Sequence, residues 1–300
     1  MNTFLNNDIL VFKFGGASVK DAKGVRNLQR IIEKYKDKNL LVVISAVGKT
    51  TNLLERILDA YFFEKEDPFL LYEQLKENHL SIARDLVPDN ARIVDKLEIV
   101  FKQLHEKLQQ PHTDNYEYEY DRIVSFGEIL STKLISTYLN LIDVRNYWLD
   151  ARQMLKTDAT YMEAKINWEE SDIALTNAIV EITAKKEANL FITQGFIAGT
   201  SDGQTTTFGR EGSDYSAAII AYLLDAESVT IWKDVPGLLN ADPKFFPDAV
   251  KLDAISYEEA IELSYYGATI IHPKTLKPLQ NKNIPLYVKP FFSPDEPGSV

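Results

Sequence analysis

The chain has 300 residues, 45% of them hydrophobic, which suffices for one large or two modest domains with a substantial core. A formal net charge of -11 argues against a nucleic-acid-binding surface, and the absence of cysteine excludes disulfides and zinc–thiolate sites. No apolar segment approaches the roughly 18 residues that span a bilayer, and Met1–Asp8 lacks the features of a signal peptide. We therefore expect a soluble, cytoplasmic protein with no nucleic-acid or membrane partner.

The first 63 residues predict strands that alternate with helices. Ile9–Phe14 is an apolar run that ends at a glycine pair, which indicates a buried strand followed by a tight turn. A helix is predicted over Asp21–Tyr35, a second buried strand over Leu40–Ile44 and another helix over Thr50–Phe63. This order is typical of the beginning of an open, mainly parallel sheet.

The middle of the chain predicts a helical insertion followed by further α/β elements. Long amphipathic patterns run from Glu66 to about Pro111 and are interrupted at Pro88-Asp89-Asn90, which predicts a helical hairpin. Tyr120–Ile142 carries one apolar side and predicts a single continuous helix. The pattern then predicts a strand over Asn146–Leu149, a helix around Ile173–Lys186 and a strand over Leu190–Thr193.

The last hundred residues predict a hairpin and then a second series of strands and helices. Gly195–Gly209 is rich in glycine and threonine, with an alternation suited to a β-hairpin. The later elements are a helix over Ser213–Asp225, a strand over Ser228–Trp232, a helix over Tyr257–Tyr266 with a break at Gly267, and a strand over Ile284–Val288. We expect one α/β domain over residues 1–300, with lobes of about 1–195, including the insertion at about 66–111, and 196–300.

The segment Gly209–Asp214 holds the strongest functional signal. It reads Gly-Arg-Glu-Gly-Ser-Asp, follows three threonines and opens a predicted helix, whose N-terminal N–H groups can bind an anion. Arg210 can bind a carboxylate with two parallel hydrogen bonds. Asp214 can orient a catalytic lysine or a metal-bound phosphate, and Ser213 can cap the helix while it donates to the ligand.

A second anion-binding signal lies after the first predicted strand. Lys13 ends that strand, and Gly15 and Gly16 let backbone amides approach a phosphate without interference from a Cβ atom. The ammonium group could neutralise charge on a phosphoryl group in transit. Taken alone, this short motif is better explained by a solvated lysine and a simple turn. Together, the two signals suggest two negatively charged ligands brought together.

The second predicted strand is followed by a weaker set of hydroxyl groups. Gly48-Lys49-Thr50 is similar to a P-loop, but Val43 stands where that motif requires glycine, so the Walker A assignment is excluded. Ser45 and Thr51 offer hydroxyl groups to a ligand. Thr51 is equally well explained as the N-cap of the following helix.

Glu128 shares a helix face with Asp121, Ser125 and Thr132, away from the apolar stripe, and could bind an ammonium group. Gly127, within the same predicted helix, costs about 1 kcal/mol relative to alanine, which indicates that something close by, for instance a ligand, needs the space. A solvated helix glutamate is the alternative.

The segments Trp232–Gly237 and Ala241–Lys244 follow a predicted strand, and ligands of open α/β sheets bind at the carboxyl ends of strands. Asp234 and Lys244 could contact the ribose and phosphates of a nucleotide. No metal site is predicted, because the four histidines, His79, His105, His112 and His272, show no ligand spacing. His272, which precedes a proline, is more often structural than catalytic in such a context.

Taken in chain order, these segments resemble the aspartate kinase branch of the amino acid kinase family. The resemblance rests on Lys13–Ser18, Ser45 with Thr51-Asn52, Ser125–Glu128, Gln194–Ile197, Thr205–Asp214, Ile231–Pro243 and Gly267–Pro273. It implies a three-layer sandwich with a central, mainly parallel sheet, whose first lobe binds the amino acid and whose second binds the nucleotide. It also implies a homodimer that transfers the γ-phosphoryl group of MgATP to the β-carboxylate of L-aspartate, the first step of lysine, threonine and methionine synthesis.

The resemblance assigns a role to each candidate residue. Lys13 would stabilise the transferring phosphoryl group and Asp214 would organise the lysines around it. Glu128 would bind the ammonium group of aspartate, and Arg210 a carboxylate. The acceptor site would consist of Ser45, Thr51, Glu128, Arg210 and Ser213, and the site for ATP and Mg²⁺ would consist of Lys13, Gly15, Gly16, Ser18, Lys233, Asp234, Leu239, Lys244 and Thr269.

Several positions depart from the family pattern. The replacements are Ala17 for threonine, Glu211 for glycine, Lys233 for threonine, Leu239 for tyrosine, Lys244 for arginine and Thr269 for a nucleotide-facing lysine. Glu211 brings negative charge beside two anionic ligands, and Lys233 could restore positive charge. The chain also ends where relatives usually continue into regulatory ACT domains. A kinase for another acceptor, such as acetylglutamate, and a catalytically silent homologue are the alternative functions.

Overall fold

The computed structural model describes residues 8–88, 90–183, 188–241, 246, 248–265 and 271–300. In chain order these residues form β1 (Ile9–Phe14), α1 (Ala22–Glu33), β2 (Asn39–Ile44), α2 (Thr50–Phe63), α3 (Pro68–Leu86), α4 (Ala91–Gln109), α5 (Tyr116–Val124), α6 (Phe126–Leu141), β3 (Tyr147–Trp148), α7 (Ala151–Met154), β4 (Lys156–Thr157), α8 (Trp168–Thr183), β5 (Leu190–Gln194), β6 (Ile197–Thr200), β7 (Thr205–Thr207), α9 (Gly212–Leu223), β8 (Ser228–Lys233), β9 (Leu238–Leu239), β10 (Lys251–Leu252), α10 (Tyr257–Tyr265), α11 (Pro273–Lys282) and β11 (Leu286–Pro290). None of these helices is both long and apolar enough to cross a membrane.

The central sheet has the strand order β11-β8-β1-β2-β5-β3, and all its pairs are parallel. β1 lies in the middle, where Phe12 is opposite Val42 on one side and Thr230 on the other. Every residue of β1 is buried, as expected for an apolar strand covered on both faces. The predicted mainly parallel sheet is confirmed.

Helices cover both faces of this sheet. Leu10, Phe12 and Phe14 pack into a core with α1, α2, α6 and the helical insertion. Ile9 and Val11 point to the opposite face and pack with α8, α9 and α11. Successive residues of one strand therefore serve two cores, which confirms the three-layer sandwich.

The helical insertion has the predicted form of a hairpin, α3 followed by α4. Asp67 and Asn90 cap the two helices, since their side chains accept hydrogen bonds from the N–H groups of Phe69 and Arg92. Lys107 and Glu119 form a buried ion pair of 2.8 Å that ties α4 to α5.

The predicted continuous helix over Tyr120–Ile142 is wrong. The segment forms α5 and α6, which meet at Ser125, and α5 begins at Tyr116 because Asn115 caps it. The Ser125 hydroxyl donates to the carbonyl oxygen of Arg122 at 3.3 Å, a local bond that competes with the helical ladder. The apolar pattern runs through the break because Ser125 keeps right-handed helical angles, φ -57° and ψ -22°.

Other differences concern element ends and an unrecognised helix. The helix predicted over Ile173–Lys186 begins at Trp168, and its last three predicted residues lie outside the described residues, as does the predicted break at Gly267. The strand predicted over Ile284–Val288 begins two residues later, because the Ile284 N–H donates to Leu279 at the end of α11. α11 was not predicted from the sequence because it contains two prolines. Pro273 occupies its first turn, where proline is tolerated.

The predicted β-hairpin over Gly195–Gly209 is confirmed. β6 and β7 pair antiparallel, with Ile197 opposite Thr207, and β4 adds a third strand. The hairpin ends at Thr207 and leads through Phe208 and Gly209 to α9. It therefore delivers the Gly209–Asp214 segment to the end of the central sheet.

Candidate active site

A cleft of about 550 Å³ lies at the carboxyl ends of β1, β2 and β8. Its lining includes eight of the candidate residues, Lys13, Ser45, Thr51, Glu128, Arg210, Ser213, Asp214 and Lys233. It also includes Tyr120, Met162, Glu163, Phe196, Gly209, Glu211 and Gly212, none of which was predicted as a site residue. Glu163 and Met162 belong to a loop without a recognisable motif, whereas Phe196 and Glu211 lie within segments of the family pattern.

Two lysines flank one buried carboxylate in this cleft. Asp214 is 3% exposed, forms an ion pair with Lys13 through Oδ1, and has the Lys233 Nζ atom 3.3 Å from Oδ2. Burial alone would raise the pKa of Asp214, but the two ammonium groups outweigh it and hold the pKa below its usual value. Asp214 is therefore an anion that fixes the positions of two cations contributed by two neighbouring strands.

The carboxylate of Glu128 lacks such a partner. Glu128 is 3% exposed, so the alternative of a solvated glutamate is wrong. Its Oε1 accepts a hydrogen bond from the Ala46 N–H at 3.2 Å, while Oε2 is buried and has no partner within the described parts of the chain. Burial raises the pKa of Glu128 to about 8, although the Ala46 bond and the charge of Lys13 oppose this shift. A cationic ligand group would satisfy this carboxylate.

Something close to Gly127 does need the space, as expected, and it is the packing of protein side chains in place of the suggested ligand. A Cβ atom at Gly127 would lie 2.9 Å from the Cβ of Ala46 and 3.1 Å from a methyl group of Leu54. Close packing of α6 against α2 and the end of β2 therefore requires glycine here. The same packing places the neighbouring Glu128 against the Ala46 N–H.

The glycine pair after β1 has two different environments. A Cβ atom at Gly16 would lie 2.4 Å from the carbonyl oxygen of Ala46, whereas at Gly15 the nearest atom would be Lys13 Nζ at 3.7 Å. The Ser18 N–H closes the turn by donating to Gly15 at 3.0 Å, and Ser18 itself is buried. Gly16 is thus required by the approach of two loops, while Gly15 leaves open space beside the Lys13 ammonium group.

Neither Thr51 nor Ser213 is the N-cap of its helix, although the sequence suggested a capping role for each. α2 begins at Thr50 with Lys49 as its N-cap, so Thr51 lies within the helix and its side chain is left to face the cleft. α9 begins at Gly212, so Ser213 also lies inside its helix. Both helices start without a side-chain cap, which leaves backbone N–H groups at the cleft.

Glu211 occupies the N-cap position of α9 in the left-handed region, with φ 54°. This conformation explains the glycine of the family pattern, since it costs a residue with a Cβ atom about 1–2 kcal/mol. The Glu211 carboxylate accepts a hydrogen bond from the His272 N–H at 3.1 Å, and His272 Nδ1 in turn accepts from the N–H of Lys274. The Glu211 carboxylate is thus hydrogen-bonded to the start of α11. His272 caps this helix, which is a structural role, as expected.

Two further nucleotide-site candidates, Asp234 and Leu239, do not line the cleft. Asp234 is exposed next to Lys233, and Leu239 lies in β9 beside a separate apolar cavity of about 120 Å³. Lys244 and Thr269 lie outside the described residues. Within the described ranges, no cluster of histidine and carboxylate side chains could hold a metal ion on its own.

Comparison with known proteins decides the family. The model of the amino acid kinase family matches residues 8–290. The chain belongs to the amino acid kinase family. This match confirms the predicted resemblance, and the fold of solved aspartate kinases agrees with the three-layer architecture.

Lysine-sensitive aspartokinase 3 of Escherichia coli strain K12 is 33% identical to this chain, and the match covers 98% of this chain and 64% of the relative. Bifunctional aspartokinase/homoserine dehydrogenase 1 of Zea mays is 30% identical over 97% of the chain and 32% of its own length. The crystal structure of E. coli aspartokinase III in complex with aspartate and ADP has a TM-score of 0.86 at 32% identity, covering 97% of this chain and 64% of that one. The chain thus spans between about a third and two thirds of the length of these relatives.

Proposed function

We propose that this chain is the catalytic part of an aspartate kinase, which transfers the γ-phosphoryl group of ATP to the β-carboxylate of L-aspartate. One observation carries the proposal: the cleft holds a buried Glu128, whose Oε2 atom has no hydrogen-bond partner among the described residues, and, in the same lining, two lysines fixed by Asp214. The first feature suits the ammonium group of an amino acid, and the second suits a phosphoryl group. The E. coli relative with the same fold was crystallised with aspartate and ADP.

The acceptor would be held at its two charged ends. Its ammonium group would pair with Glu128, whose buried Oε2 atom has no hydrogen-bond partner in the described chain. The exposed Arg210 at the rim of the cleft would bind a carboxylate, and a guanidinium group can do so with two parallel hydrogen bonds. Ser45, Thr51 and Ser213 would supply further donors from the cleft wall.

The phosphoryl group would travel past Lys13 and Lys233. Catalysis of phosphoryl transfer consists mostly of positioning and charge stabilisation, so two ammonium groups fixed by one carboxylate are suited to the task. An aspartate β-carboxylate is already anionic and attacks the γ-phosphorus without a general base. The bond from the γ-phosphorus to the bridging oxygen breaks, and the products are ADP and the acyl phosphate 4-phospho-L-aspartate.

The nucleotide would be bound by the loop of Gly15, Gly16 and Ser18 and by Lys233, Asp234, Leu239, Lys244 and Thr269, as the family resemblance implies. Mg²⁺ commonly keeps several water ligands and binds through substrate phosphates, so it would enter with ATP and neutralise charge on the β- and γ-phosphates. The described carboxylates suit that arrangement, because Asp214 is paired with lysines and Glu211 with the His272 N–H.

The same proposal includes the wider biology that the resemblance implies. The chain would act as a homodimer in the cytoplasm, in the synthesis of lysine, threonine and methionine. Its first lobe, about 1–195, would bind the amino acid, and its second, 196–300, the nucleotide.

Two alternatives have less support. Acetylglutamate has no ammonium group, so it would offer no cation to the buried Oε2 atom of Glu128. A silent homologue was suggested by Glu211 and by Thr269, which lies outside the described residues. Lys13, Arg210 and Asp214 oppose it, since all three are present in the cleft, and the Glu211 carboxylate accepts a hydrogen bond from the His272 N–H.

The deciding experiment measures ADP release with MgATP and L-aspartate, with acetylglutamate, glutamate and UMP as comparison acceptors. We expect turnover with aspartate well above that with the other three. Turnover with acetylglutamate or UMP in place of aspartate would refute the substrate assignment. ATP binding without turnover of any acceptor would favour a silent subunit.

A further inference from the structure

Asp121 is a buried carboxylate with no part in the proposed chemistry. It lies on α5, is 0% exposed and accepts hydrogen bonds from two other segments of the chain. The Oδ2 atom of Asp121 accepts a hydrogen bond from the Thr207 N–H at 2.9 Å, and its Oδ1 atom accepts one from the Thr207 hydroxyl at 2.6 Å. The Met162 N–H is 3.1 Å from each carboxylate oxygen. Burial raises the pKa of Asp121 to about 6, so the group is mostly ionised at neutral pH and its hydrogen bonds are charge-assisted.

Both partners of Asp121 belong to segments that form the cleft. Thr207 ends β7, three residues before Arg210. Met162 has a left-handed backbone, φ 65°, which a residue with a Cβ atom adopts only when its surroundings hold it there, and both Met162 and Glu163 line the cleft.

The two segments also touch each other. A Cβ atom at Gly209 would lie 2.8 Å from the carbonyl oxygen of Met162 and 3.3 Å from the Glu163 side chain. The N–H of Ala164 donates to the carbonyl oxygen of Thr207 at 2.9 Å. A displacement of the Met162 loop would therefore reach the backbone that carries Arg210.

Asp121 is in addition connected to the other end of the acceptor site. α5 meets α6 at Ser125, and Glu128 follows in the first turn of α6, seven residues after Asp121. The Asp121–Thr207 bonds thus join the helical segment that carries Glu128 to the strand that leads to Arg210. These are the ends that would bind the ammonium group and a carboxylate of the acceptor.

We propose that Asp121 is a positioning residue that sets the separation between Glu128 and Arg210 and thereby selects the length of the acceptor amino acid. The proposal rests on the proposed function, because it concerns the acceptor site of that reaction. Asp121 does not line the cleft. With Glu128 on the ammonium group and Arg210 on the side-chain carboxylate, the separation that Asp121 fixes would distinguish the four-carbon aspartate from the five-carbon glutamate.

The test compares Asp121→Ala, Asp121→Asn and the wild-type protein, with aspartate and glutamate as acceptors. In Asp121→Ala the buried N–H groups of Thr207 and Met162 lose their acceptor, and we expect the aspartate KM to rise about tenfold or more, the scale of one charge-assisted hydrogen bond. The preference for aspartate over glutamate in kcat/KM should fall, while the KM for MgATP should stay within about twofold.

Asp121→Asn should restore most of the aspartate affinity and selectivity. Its amide oxygen can accept from the two backbone N–H groups, while its NH₂ group donates to the Thr207 hydroxyl, which can turn to accept. Asp158→Asn is the matched control, because Asp158 accepts from Thr160 and Lys165 in the same loop but does not line the cleft. We expect wild-type kinetics from that control.

Unchanged KM and selectivity in folded Asp121→Ala would overturn the proposal. A fall in kcat together with a rise in both KM values in Asp121→Ala, without recovery in Asp121→Asn, would also overturn the proposal. That pattern indicates a purely structural role. If Asp121→Ala does not fold, Thr207→Val removes only the hydroxyl donor, and it should shift KM and selectivity in the same direction by a smaller factor. A wild-type protein that phosphorylates no aspartate would instead refute the proposed function, and this proposal with it.

Discussion

Two buried carboxylates in one cleft have opposite electrostatic surroundings. At the ends of β1 and β8, Asp214 lies between two ammonium groups that keep its pKa below its usual value. On α6, Glu128 is buried to the same 3% exposure, receives one backbone hydrogen bond, and has its pKa raised to about 8. The counter-charge of Asp214 belongs to the protein, whereas that of Glu128 is left for a ligand to provide.

The contrast separates two uses of a buried charge. A paired carboxylate such as Asp214 acts as a fixed part of the site, because it holds cations in place before any substrate arrives. An unpaired one such as Glu128, with a pKa of about 8, is mostly protonated in the free protein at neutral pH, and its ionised form becomes favourable when a cation binds. The region around Asp214 is therefore suited to stabilise charge in the transition state, and the region around Glu128 is suited to bind the ammonium group of the acceptor.

The largest effect is expected from Lys13→Ala, which removes one of the two cations from Asp214. We expect kcat to fall by about 10²–10³, the cost of losing one preorganised charge-stabilising group, with little change in the aspartate KM. Measurement of ADP release over a range of aspartate concentrations checks this, with the exposed Lys20→Ala as control. Equal turnover in Lys13→Ala and the wild-type protein would remove Lys13 from the phosphoryl-transfer machinery.

Glu128→Gln tests the other side of the comparison. Glutamine fits the same space but has no charge for the ammonium group, so we expect the aspartate KM to rise by about 10- to 100-fold and the MgATP KM to stay unchanged. The exposed Glu117→Gln, on the neighbouring helix, serves as control. An aspartate KM that did not move would show that Glu128 does not contact the acceptor.

Glu128→Gln should also be more stable than the wild-type protein, without ligands, as the pH rises towards 8. The pKa of Glu128 is raised from 4.5 to about 8 on folding, so burial of its neutral form favours the fold below about pH 4.5, and this contribution is lost as the pH rises through 8. Thermal melts without ligands should give equal Tm values for wild type and Glu128→Gln near pH 4, with Glu128→Gln increasingly more stable up to pH 8. A constant difference in Tm across this range would contradict the raised pKa.

A smaller effect on stability is expected from the glycine pair after β1. Gly16→Ala forces a methyl group against the Ala46 carbonyl, next to the N–H that holds Glu128, and we expect a loss of about 1–3 kcal/mol in the free energy of unfolding. Gly15→Ala is the matched control, since its methyl group would approach nothing closer than the Lys13 Nζ at 3.7 Å. Urea denaturation of the two variants checks the difference, and equal midpoints would show that the Ala46 loop yields at little cost.

The elements that sequence patterns predicted well are those whose signal lies within one segment. Ile9–Phe14 and Thr50–Phe63 have the predicted bounds, because an apolar run and a helical period are local properties. The break at Ser125 was missed because the residue keeps helical angles and the apolar stripe is uninterrupted.

The sequence predicted several of the residues that line the cleft, but not the environment of each. The family motifs identified Lys13, Glu128 and Asp214, all of which line one cleft. The burial of Glu128 was not predictable from its helix, because the surface that covers it comes from the end of β2. Similarly, nothing in the sequence around Met162 indicates that Asp121 holds it at the cleft, since that contact joins residues 41 positions apart.

The central position of β1 has a consequence for the synthesis of the chain. One edge of β1 pairs with β2, about 30 residues later, but the other pairs with β8, which begins only at Ser228. At about 5–20 residues per second, a ribosome needs roughly ten to forty seconds to make the intervening chain. Until then the apolar Ile9–Phe14 strand has an open edge, a template for pairing with other nascent chains. The strand that carries Lys13 to the cleft is therefore also a segment that needs protection during synthesis for a productive yield of folded protein.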